Sequence, residues 1–449
     1  MLDKIVKAIV AAGGRPYLVG GAVRDQLLGV EPHDFDVEVF GLSAEQLTAV
    51  LAPFGAVRPV GASFGVLKLR AGDDEFDFSL PRTENKVGRG HRGFQANFDP
   101  MMTPRKAAER RHYTIGSMAI DLVTGERLDF FGGQADLQAR ILRATSKKFG
   151  EDPLRPLIGM QLASRFEMTV EAHTADQCYM LRPEYHDLPK DRIRDEWYKW
   201  ATESVKPSCG LVFLYDIGWD ALYPELVALE GLEQDPQFHP EGDVFAHTCY
   251  AVDEAVRIAD REGLTGDDRA VLVFAALCHD FGKVATTKRQ GYGRITSYGH
   301  DQAGDKPARR FLASIGMPSN IIERVMPLVK EHMAHLNSST SKSVRRLSVR
   351  LAPASIKELL WVIEADHSAR PPVLGGLPDN AQAIGNIAEA IGVQLEPPAP
   401  IVMGRHLIAW GMQPSPAFKP ILDKAFRLQL DGAFKTADEA RALLNLQGD

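Results

Sequence analysis

The stretch from residue 19 to residue 36 decides the fold and reads Val-Gly-Gly-Ala-Val-Arg-Asp-Gln-Leu-Leu-Gly-Val-Glu-Pro-His-Asp-Phe-Asp. It follows an apolar run that predicts a strand. Its last two aspartates, Asp34 and Asp36, lie at the start of a second predicted strand. Asp34 and Asp36 are two residues apart, and side chains at i and i+2 of a strand face the same side. Both carboxylates therefore face one spot. Oxygen ligands of this kind suit Mg²⁺ that carries nucleotide phosphates.

The glycine pair in this stretch predicts a turn that lets a phosphate approach the backbone. Gly20 and Gly21 have no side chains to block the N–H groups. The order of strand, Gly-Gly, Arg-Asp, helix and Asp-x-Asp resembles the signature of the polymerase-β-like nucleotidyltransferases. In detail it resembles the class II (bacterial-type) tRNA nucleotidyltransferases and their poly(A) polymerase relatives. That resemblance implies that Asp34 and Asp36 are catalytic and bind Mg²⁺, and that Arg24 contacts the nucleotide with the two glycines.

Length and composition limit the number of domains and the class of protein. A chain of 449 residues is too long for one core, so we expect two to four domains. A hydrophobic content of 45% and a charged content of 25% are ordinary for a globular protein. The four cysteines form no Cys-x-x-Cys pair, and the charged first ten residues predict an amphipathic helix instead of a signal peptide. We therefore expect a cytoplasmic protein without a membrane span, and the oligomeric state stays open.

The periodicity changes near residue 145 and predicts an α+β protein. Before that point, alternating patterns predict strands at 16–19, 34–40, 56–60, 65–70, 75–79 and 117–121, and helices at 3–12, 22–29 and 43–52. Residues 80–105 predict a long loop. Later residues predict helices that begin near Pro153, Lys190, Val244, Asp268, Gln302, Ile321, Ser341 and Ser355. We predict a polymerase-β-like domain with a mixed sheet, followed by helical neck, HD and tail domains.

Two further segments add groups to the nucleotide site. Asp77 lies on a later predicted strand and could supply a third carboxylate for two-metal transfer. Arg110 and Arg111 begin a segment that resembles the family motif Arg-Arg-Asp-Phe-Thr-Ile-Asn, which contacts the sugar and phosphates of the incoming nucleotide. His112 and Tyr113 here replace Asp-Phe, and Gly-Ser at 116–117 replaces Asn-Ala. These arginines belong to a basic stripe at 82–111 that could neutralise a triphosphate or RNA backbone.

Residues 151–155, Glu-Asp-Pro-Leu-Arg, resemble the Glu-Asp-x-x-Arg motif of the family. At a spacing of three, Asp152 and Arg155 are predicted to share one face of a helix. A carboxylate beside a guanidinium could then read the edge of a base, because cytosine and adenine carry an exocyclic amine there and uracil and guanine do not. Ile158 stands where relatives often carry another arginine.

A second pattern lies between residues 239 and 366. Its order of His, His-Asp, His, His and Asp resembles the HD-domain metal-dependent phosphohydrolases. The resemblance implies one or two divalent metals, either Mn²⁺, Ni²⁺ or Fe, or Mg²⁺. It implies a possible phosphate contact from Lys283, while His335 and His367 could support the ligands or lie at the surface. The implied metal ligands are His247, His279, Asp280, His300, His332 and Asp366.

Together these patterns predict four domains: a catalytic head at 1–145, a base-reading neck at 146–235, an HD domain at 236–370 and a helical tail at 371–449 that supports tRNA. The predicted activity is template-independent addition of CCA to the tRNA 3′ end from CTP and ATP. Addition of the terminal A alone, addition of CC alone and poly(A) synthesis are alternatives within the class. A phosphohydrolase with a degenerate nucleotidyltransferase module, and a non-catalytic RNA-binding protein, are alternatives outside it.

Overall fold

A computed structural model of the protein describes residues 1–30, 35–60, 65–71, 74–86 and 94–445. By its internal contacts the chain divides into two compact units, Met1–Leu222 and Tyr223–Asp449. Each unit is described by itself. The finer division into four domains stays a prediction.

The first unit begins with a seven-stranded mixed sheet, which confirms the predicted α+β class. The strand order is β3-β4-β5-β2-β1-β8-β9, with β2 and β5 parallel and the other neighbours antiparallel. A separate hairpin pairs β6 with β7. The strands are β1 (Arg15–Val19), β2 (Phe35–Phe40), β3 (Ala56–Val60), β4 (Val66–Ala71), β5 (Asp74–Ser79), β6 (Arg82–Lys86), β7 (Phe94–Phe98), β8 (Ala119–Asp121) and β9 (Arg127–Leu128). The helices of this part are α1 (Leu2–Ala11), α2 (Gly21–Leu27), α3 (Ala44–Leu51), α4 (Pro104–Ala108) and α5 (Gly133–Ala139).

Alternation along β2 separates the core of the sheet from the site. Val37 and Val39 are fully buried in a cluster that also contains residues of α1 and α3. Asp36 and Glu38 have the opposite parity and lie on the other side of the strand. The apolar face of the sheet therefore packs under helices, while its polar face is available for chemistry.

The predicted loop at 80–105 is wrong in part. Residues Arg82–Lys86 and Phe94–Phe98 form an antiparallel hairpin, with Arg82 opposite Phe98. The Gly, Arg and Pro residues of this segment favoured a loop. The sequence of β6, Arg-Thr-Glu-Asn-Lys, is polar at every position and gives no hydrophobic period. The residues between the two strands, 87–93, lie outside the described part of the chain.

After the sheet, the first unit becomes helical as predicted. A short parallel pair, β10 (Ile141–Leu142) and β11 (Thr169–Val170), is the exception. The helices are α6 (Arg155–Phe166), α7 (Ala172–Leu181), α8 (Lys190–Glu203) and α9 (Pro207–Asp216). Helix α6 packs against both α8 and α9, where the rings of Trp197 and Trp200 are fully buried.

The second unit is helical apart from one small ribbon, β12 (Lys288–Arg289) with β13 (Ile295–Thr296). The helix starts at Val244 and Ser341 in this unit, and at Lys190 in the first unit, agree with the predictions. Those near Ile321 and Ser355 agree within two residues. The helices are α10 (Pro224–Val227), α11 (Val244–Glu262), α12 (Gly266–Cys278), α13 (Lys283–Thr286), α14 (His300–Ala303), α15 (Asp305–Ser314), α16 (Ser319–Glu331), α17 (Ser341–Leu351), α18 (Ile356–Ser368), α19 (Asp379–Ala390), α20 (Gly404–Ala409), α21 (Phe418–Leu430) and α22 (Ala437–Leu444). Among the described residues, no helix combines the length and the apolar character that a membrane crossing requires.

Candidate active sites

Two aspartates lie side by side on neighbouring strands of the sheet. Asp36 of β2 is in register with Asp77 of the parallel strand β5, so both side chains leave the same face of the sheet. Asp36 is exposed, and the Nζ atom of Lys68 lies 3.1 Å from Oδ1 of Asp77. Asp34, the other predicted catalytic carboxylate, lies outside the described residues. The described part of the chain thus places Asp36 and Asp77 together.

The glycine turn lies directly beside Asp36. Gly20 has φ of +74°, which favours glycine, and a Cβ atom there would lie 3.2 Å from Oδ2 of Asp36 and 3.6 Å from Nη1 of Arg111. At Gly21 a Cβ atom would lie 3.3 Å from Nη2 of Arg24. The two glycines therefore keep side chains out of a space that a carboxylate and two arginines surround. Such a space suits an anionic ligand that carries a divalent cation.

The arginines of the site are buried ion pairs. Arg24 donates from Nε and Nη2 to Oδ1 of Asp25 at 2.9 and 2.8 Å and lies 4.3 Å from the ring centre of Phe166. Arg110 donates from Nη2 to Oε1 of Glu38 at 3.0 Å, and Arg111 donates to Oε2 at 3.5 Å. Burial raises the pKa of Glu38, but the two arginines outweigh it, and the pKa is lowered. In this part of the basic stripe the guanidinium groups are thus fixed by carboxylates.

His112, which departs from the family motif, lies in a strongly cationic environment. Burial and the nearby Arg155 and Arg111 lower its pKa to about 3, so the imidazole is neutral at pH 7. The next residue, Tyr113, is fully buried and donates its hydroxyl to the carbonyl oxygen of Arg155 at 3.0 Å. Tyr113 thus ties the motif to the start of α6.

Asp152 and Arg155 do not share a helix face, so that prediction is wrong. Asp152 is extended and accepts from the backbone N–H of Leu154 at 3.0 Å, and α6 begins only at Arg155. A proline at 153 disfavours helical geometry in the residue before it. The side chain of Arg155 is buried and donates to the carbonyl oxygens of Lys148 at 2.7 Å and of Arg110 at 2.8 Å.

In the second unit, the six predicted HD ligands converge from separate helices. His247 comes from α11, His279 and Asp280 follow α12, His300 begins α14, His332 follows α16 and Asp366 comes from α18. Nε2 of His247 lies 3.3 Å from Nε2 of His279 and 3.1 Å from Oδ1 of Asp366. Nε2 atoms of His300 and His332 lie 3.0 Å apart. The structure therefore brings together all six residues.

The tautomers of these histidines leave Nε2 available for a metal. Nδ1 of His279, His300 and His332 donates to the carbonyl oxygens of Ala276, Ser297 and Val329 at 2.7, 2.8 and 2.7 Å. In a neutral imidazole the other nitrogen is then a lone pair. The Nε2 lone pairs of His300 and His332 face each other at 3.0 Å and repel. A cation bound by both nitrogens would remove this repulsion. The donor set therefore fits a divalent metal with mixed nitrogen and oxygen ligands.

Asp280 lies between the two groups of histidines. It is 1% exposed, and its Oδ2 is 3.1 Å from Nε2 of His279 while its Oδ1 is 3.3 Å from Nε2 of His300. Neither oxygen accepts a hydrogen bond of normal geometry within the described structure. Nζ of Lys283 lies 2.7 Å from Oδ2 and also donates to Oε1 of Gln234 at 2.6 Å. A carboxylate in this position could bridge two metal ions.

A cavity of about 710 Å³ opens beside these ligands. Its wall includes Asp280, Asp366 and the cationic side chains of Lys283, Arg294 and Arg370. His335 and His367, whose role the sequence left open, also line it, together with Phe238 and Tyr298. A cavity with cations and aromatic rings next to a metal site suits a phosphoester with an attached ring system.

Two buried glutamates of the sites were not predicted from the sequence. Glu38 binds both arginines of the nucleotide motif, and its signal was an acid within the apolar run Val37-Glu38-Val39. Oε1 of Glu241 accepts from Nδ1 of His247 at 2.7 Å and from Nδ1 of His239 at 2.9 Å. Glu241 therefore aims Nε2 of His247 at the metal ligands, as carboxylates commonly do for metal-binding histidines.

The chain matches two family models. Residues 16–143 match the poly A polymerase head domain, and residues 244–369 match the HD domain. The multifunctional CCA protein of Xanthomonas oryzae pv. oryzae (strain MAFF 311018) is 34% identical over 434 residues, which are 94% of this chain and 99% of that protein. That of Pasteurella multocida (strain Pm70) is 34% identical over 369 residues, or 79% of this chain and 84% of that protein.

Solved structures agree with the fold. A Bacillus stearothermophilus CCA-adding enzyme in complex with CTP has a TM-score of 0.66 and 18% identity, and the match covers 98% of this chain and 95% of that one. A Thermotoga maritima CCA-adding enzyme complexed with tRNA has a TM-score of 0.58 and 19% identity, covering 98% and 93%. With one third of its residues shared along almost the whole length of a multifunctional CCA protein, this chain belongs to the family of class II CCA-adding enzymes and carries an HD domain.

Proposed function

We propose that this protein is a tRNA nucleotidyltransferase that adds CCA to the tRNA 3′ end from CTP and ATP. The observation that carries the proposal is the space around Gly20, which Asp36 and Arg111 border. It lies within the part of the chain that matches a poly A polymerase head domain. CCA-adding enzymes of similar fold have been solved in complex with CTP, with ATP and with tRNA, which supports these molecules as substrates here.

Each residue around this space has a proposed role. Asp34 and Asp36 would hold Mg²⁺, and Asp77, which is in register with Asp36, would be a third carboxylate. When bound, Mg²⁺ neutralises the triphosphate and favours attack by a hydroxyl group. The backbone at Gly20 and Gly21 admits the phosphates. The phosphate oxygens would be bound by Arg24, Arg110 and Arg111.

The base of the nucleotide is proposed to lie against Asp152 and Arg155. Arg155 is held by the carbonyl oxygens of Lys148 and Arg110, so its guanidinium is fixed before a nucleotide binds. The carboxylate of Asp152 could accept from the exocyclic amine that cytosine and adenine carry. The tail, with its own small core around Leu407, Trp410 and Phe434, is the proposed support for the rest of the tRNA.

Addition of CCA, rather than of the terminal A alone, is the version that we propose. The His112 substitution and Ile158 kept the A-only alternative open in the sequence. The experiment incubates purified protein with Mg²⁺ and labelled CTP or ATP on tRNAs that end before CCA, after CC, or after CCA. Incorporation of C, C and A supports the proposal, whereas A added only to the CC end identifies a dedicated A-adding enzyme. The variant Asp36→Asn is the inactive control, and no incorporation by wild type would refute the proposal.

A second activity, metal-dependent phosphoester hydrolysis, is proposed for the HD domain of the second unit. It is supported by the six converging ligands and the cationic cavity beside them. When bound, Mn²⁺, Ni²⁺, Fe or Mg²⁺ supplies a Lewis acid for the phosphoryl group and lowers the pKa of water. Lys283 would steady Asp280, and Arg294 and Arg370 would bind phosphate oxygens.

The two activities can be tested separately. Phosphate release from nucleoside monophosphates and cyclic nucleotides would be measured with each metal in turn, using wild type, Asp280→Asn and Asp36→Asn. Asp280→Asn is expected to abolish release and to leave nucleotide addition intact, and Asp36→Asn is expected to do the reverse. Release that survives Asp280→Asn would refute the HD assignment. The cytoplasmic location stays a prediction.

A further inference from the structure

We propose that Glu38 is a positioning residue of the nucleotide site, whose carboxylate holds Arg110 and Arg111 where a triphosphate binds. The inference rests on the proposed function, because it assigns these two arginines to the phosphates. It concerns a residue outside the Asp-x-Asp pair and the arginine motif themselves. Its role would be to act through the arginines, without touching the nucleotide.

The burial and the geometry of Glu38 fit this role. The residue is 2% exposed and lies on β2, two positions after Asp36 and on the same face of the strand. Oε1 accepts from Nη2 of Arg110 at 3.0 Å, and Oε2 accepts from Nη2 of Arg111 at 3.5 Å. Each carboxylate oxygen therefore serves one arginine.

Arg111 reaches from Glu38 to the glycine turn. While its Nη2 is bonded to Glu38, its Nη1 lies 3.6 Å from the position of a Cβ atom at Gly20. Oδ2 of Asp36 lies 3.2 Å from that same position. Glu38 thus fixes one edge of the guanidinium, and the other edge borders the space proposed for the phosphates. A planar fork held at one edge has a defined direction at the other.

The electrostatics explain why the two arginines need this carboxylate. Burial lowers the pKa of Arg111, and the neighbouring Arg110 lowers it further, whereas Glu38 acts in the opposite direction. Two adjacent guanidinium groups repel each other, and without a counterion at least one would turn toward water. One carboxylate against two guanidinium groups still leaves a positive charge for an anion. Glu38 can therefore order the arginines without cancelling their attraction for phosphate.

Two other roles for Glu38 predict different effects of Glu38→Gln on nucleotide affinity. If its negative charge mainly weakened the positive potential of the site, Glu38→Gln would bind a triphosphate more tightly than wild type. If it only stabilised the fold, Glu38→Gln would lower the melting temperature and leave affinity unchanged. Positioning predicts weaker binding, and a loss that grows with the number of phosphates on the ligand.

The test compares ATP and AMP binding by calorimetry, without tRNA, to wild type, Glu38→Gln and Glu38→Asp. Thermal unfolding of each variant is measured in parallel. Asp121→Asn is the matched control. Asp121 is equally buried in the same sheet, and it accepts from Nε of Arg15 at 2.8 Å. Arg15 begins β1, at the end of the strand away from Gly20. The control variant should lose stability as Glu38→Gln does, and keep its affinity for ATP.

We expect Glu38→Gln to bind ATP about tenfold or more weakly and AMP nearly as wild type does, because both arginines lose the charged acceptor that directs them. Glu38→Asp keeps the charge in the buried site and so preserves the fold, but its shorter side chain should also weaken ATP binding. ATP affinity of both variants within about twofold of wild type, or above it, would overturn the inference. If Glu38→Gln does not fold, Glu38→Asp decides alone. Wild type that binds no nucleotide would instead refute the proposed function.

Discussion

Arg155 gives the sharpest test of how the nucleotide site is held together. Its guanidinium donates from Nη1 to the carbonyl oxygen of Lys148 and from Nη2 to that of Arg110, at 2.7 and 2.8 Å. It also lies 5.8 Å from the ring centre of Phe149. Arg155→Ala leaves the carbonyl oxygens of Lys148 and Arg110 without this donor. We expect the variant to destabilise the first unit.

The magnitude follows from these contacts. A hydrogen bond from a charged donor contributes about 1.5–3 kcal/mol, and a cation–π contact adds about 0.5–1 kcal/mol. Arg155→Ala, which loses two such hydrogen bonds and one such contact, should therefore lower the free energy of unfolding of the first unit by about 3.5–7 kcal/mol. Arg155→Lys keeps the charge but offers a point donor in place of a planar fork, so about half of that loss is expected.

The assay is hydrogen exchange of the α6 amides as a function of urea, which reports on the first unit alone. Arg165→Ala is the matched control on the same helix, because Arg165 pairs with Glu203 at 3.0 Å and the two side chains are 34% and 41% exposed. Such a surface pair contributes less than about 1 kcal/mol. A loss for Arg155→Ala as small as that for Arg165→Ala would refute the reasoning. An Arg155→Lys variant that is fully stable but mixes C and A would show base reading to be the main role.

Three further changes have defined outcomes. Glu241→Gln should weaken Mn²⁺ binding about 10- to 100-fold by calorimetry, because Nδ1 of His247 loses its carboxylate, and unchanged affinity would show that Glu241 has no such role. Gly20→Ala should reduce nucleotide incorporation strongly, because its φ of +74° and the close Oδ2 of Asp36 oppose a side chain; wild-type incorporation would contradict the tight turn. His112 has a pKa lowered to about 3 in the folded chain and near 6.5 when unfolded, so the unfolded state binds the extra proton as pH falls below 6.5. Stability is lost in that direction, by about 2 kcal/mol at pH 5, and denaturant unfolding of His112→Gln should lack this part of the loss between pH 7.5 and pH 5.

The sheet of the head could be predicted from sequence because its strands alternate clearly. Val37 and Val39 are buried and Asp36 is exposed, which is the pattern of a strand with one face in the core. The sequence of β6, Arg-Thr-Glu-Asn-Lys, is polar at every position, so no hydrophobic period distinguished that strand from a loop. Local pattern therefore predicted the strands that build the core and failed for the ribbon.

The sites were predictable as sets of residues but only partly as geometry. The HD ligands converge as the motif order implies, and Asp77 stands beside Asp36. Asp152 and Arg155 were placed on one helix because their spacing allowed it, and the proline between them moves the helix start to Arg155. Glu38 meets its arginines across more than 70 positions of sequence, and no local pattern carries such a partnership.

The division of the chain has an evolutionary consequence. Every described residue assigned to the nucleotide-binding site belongs to Met1–Leu222, and all six HD ligands belong to Tyr223–Asp449. Neither set borrows a ligand from the other, so selection can relax on one while the other is maintained. Among descendants of such a gene, HD ligands could be lost by drift in lineages where the aspartates of the head stay fixed. Substitutions in the two sets are then expected to accumulate independently.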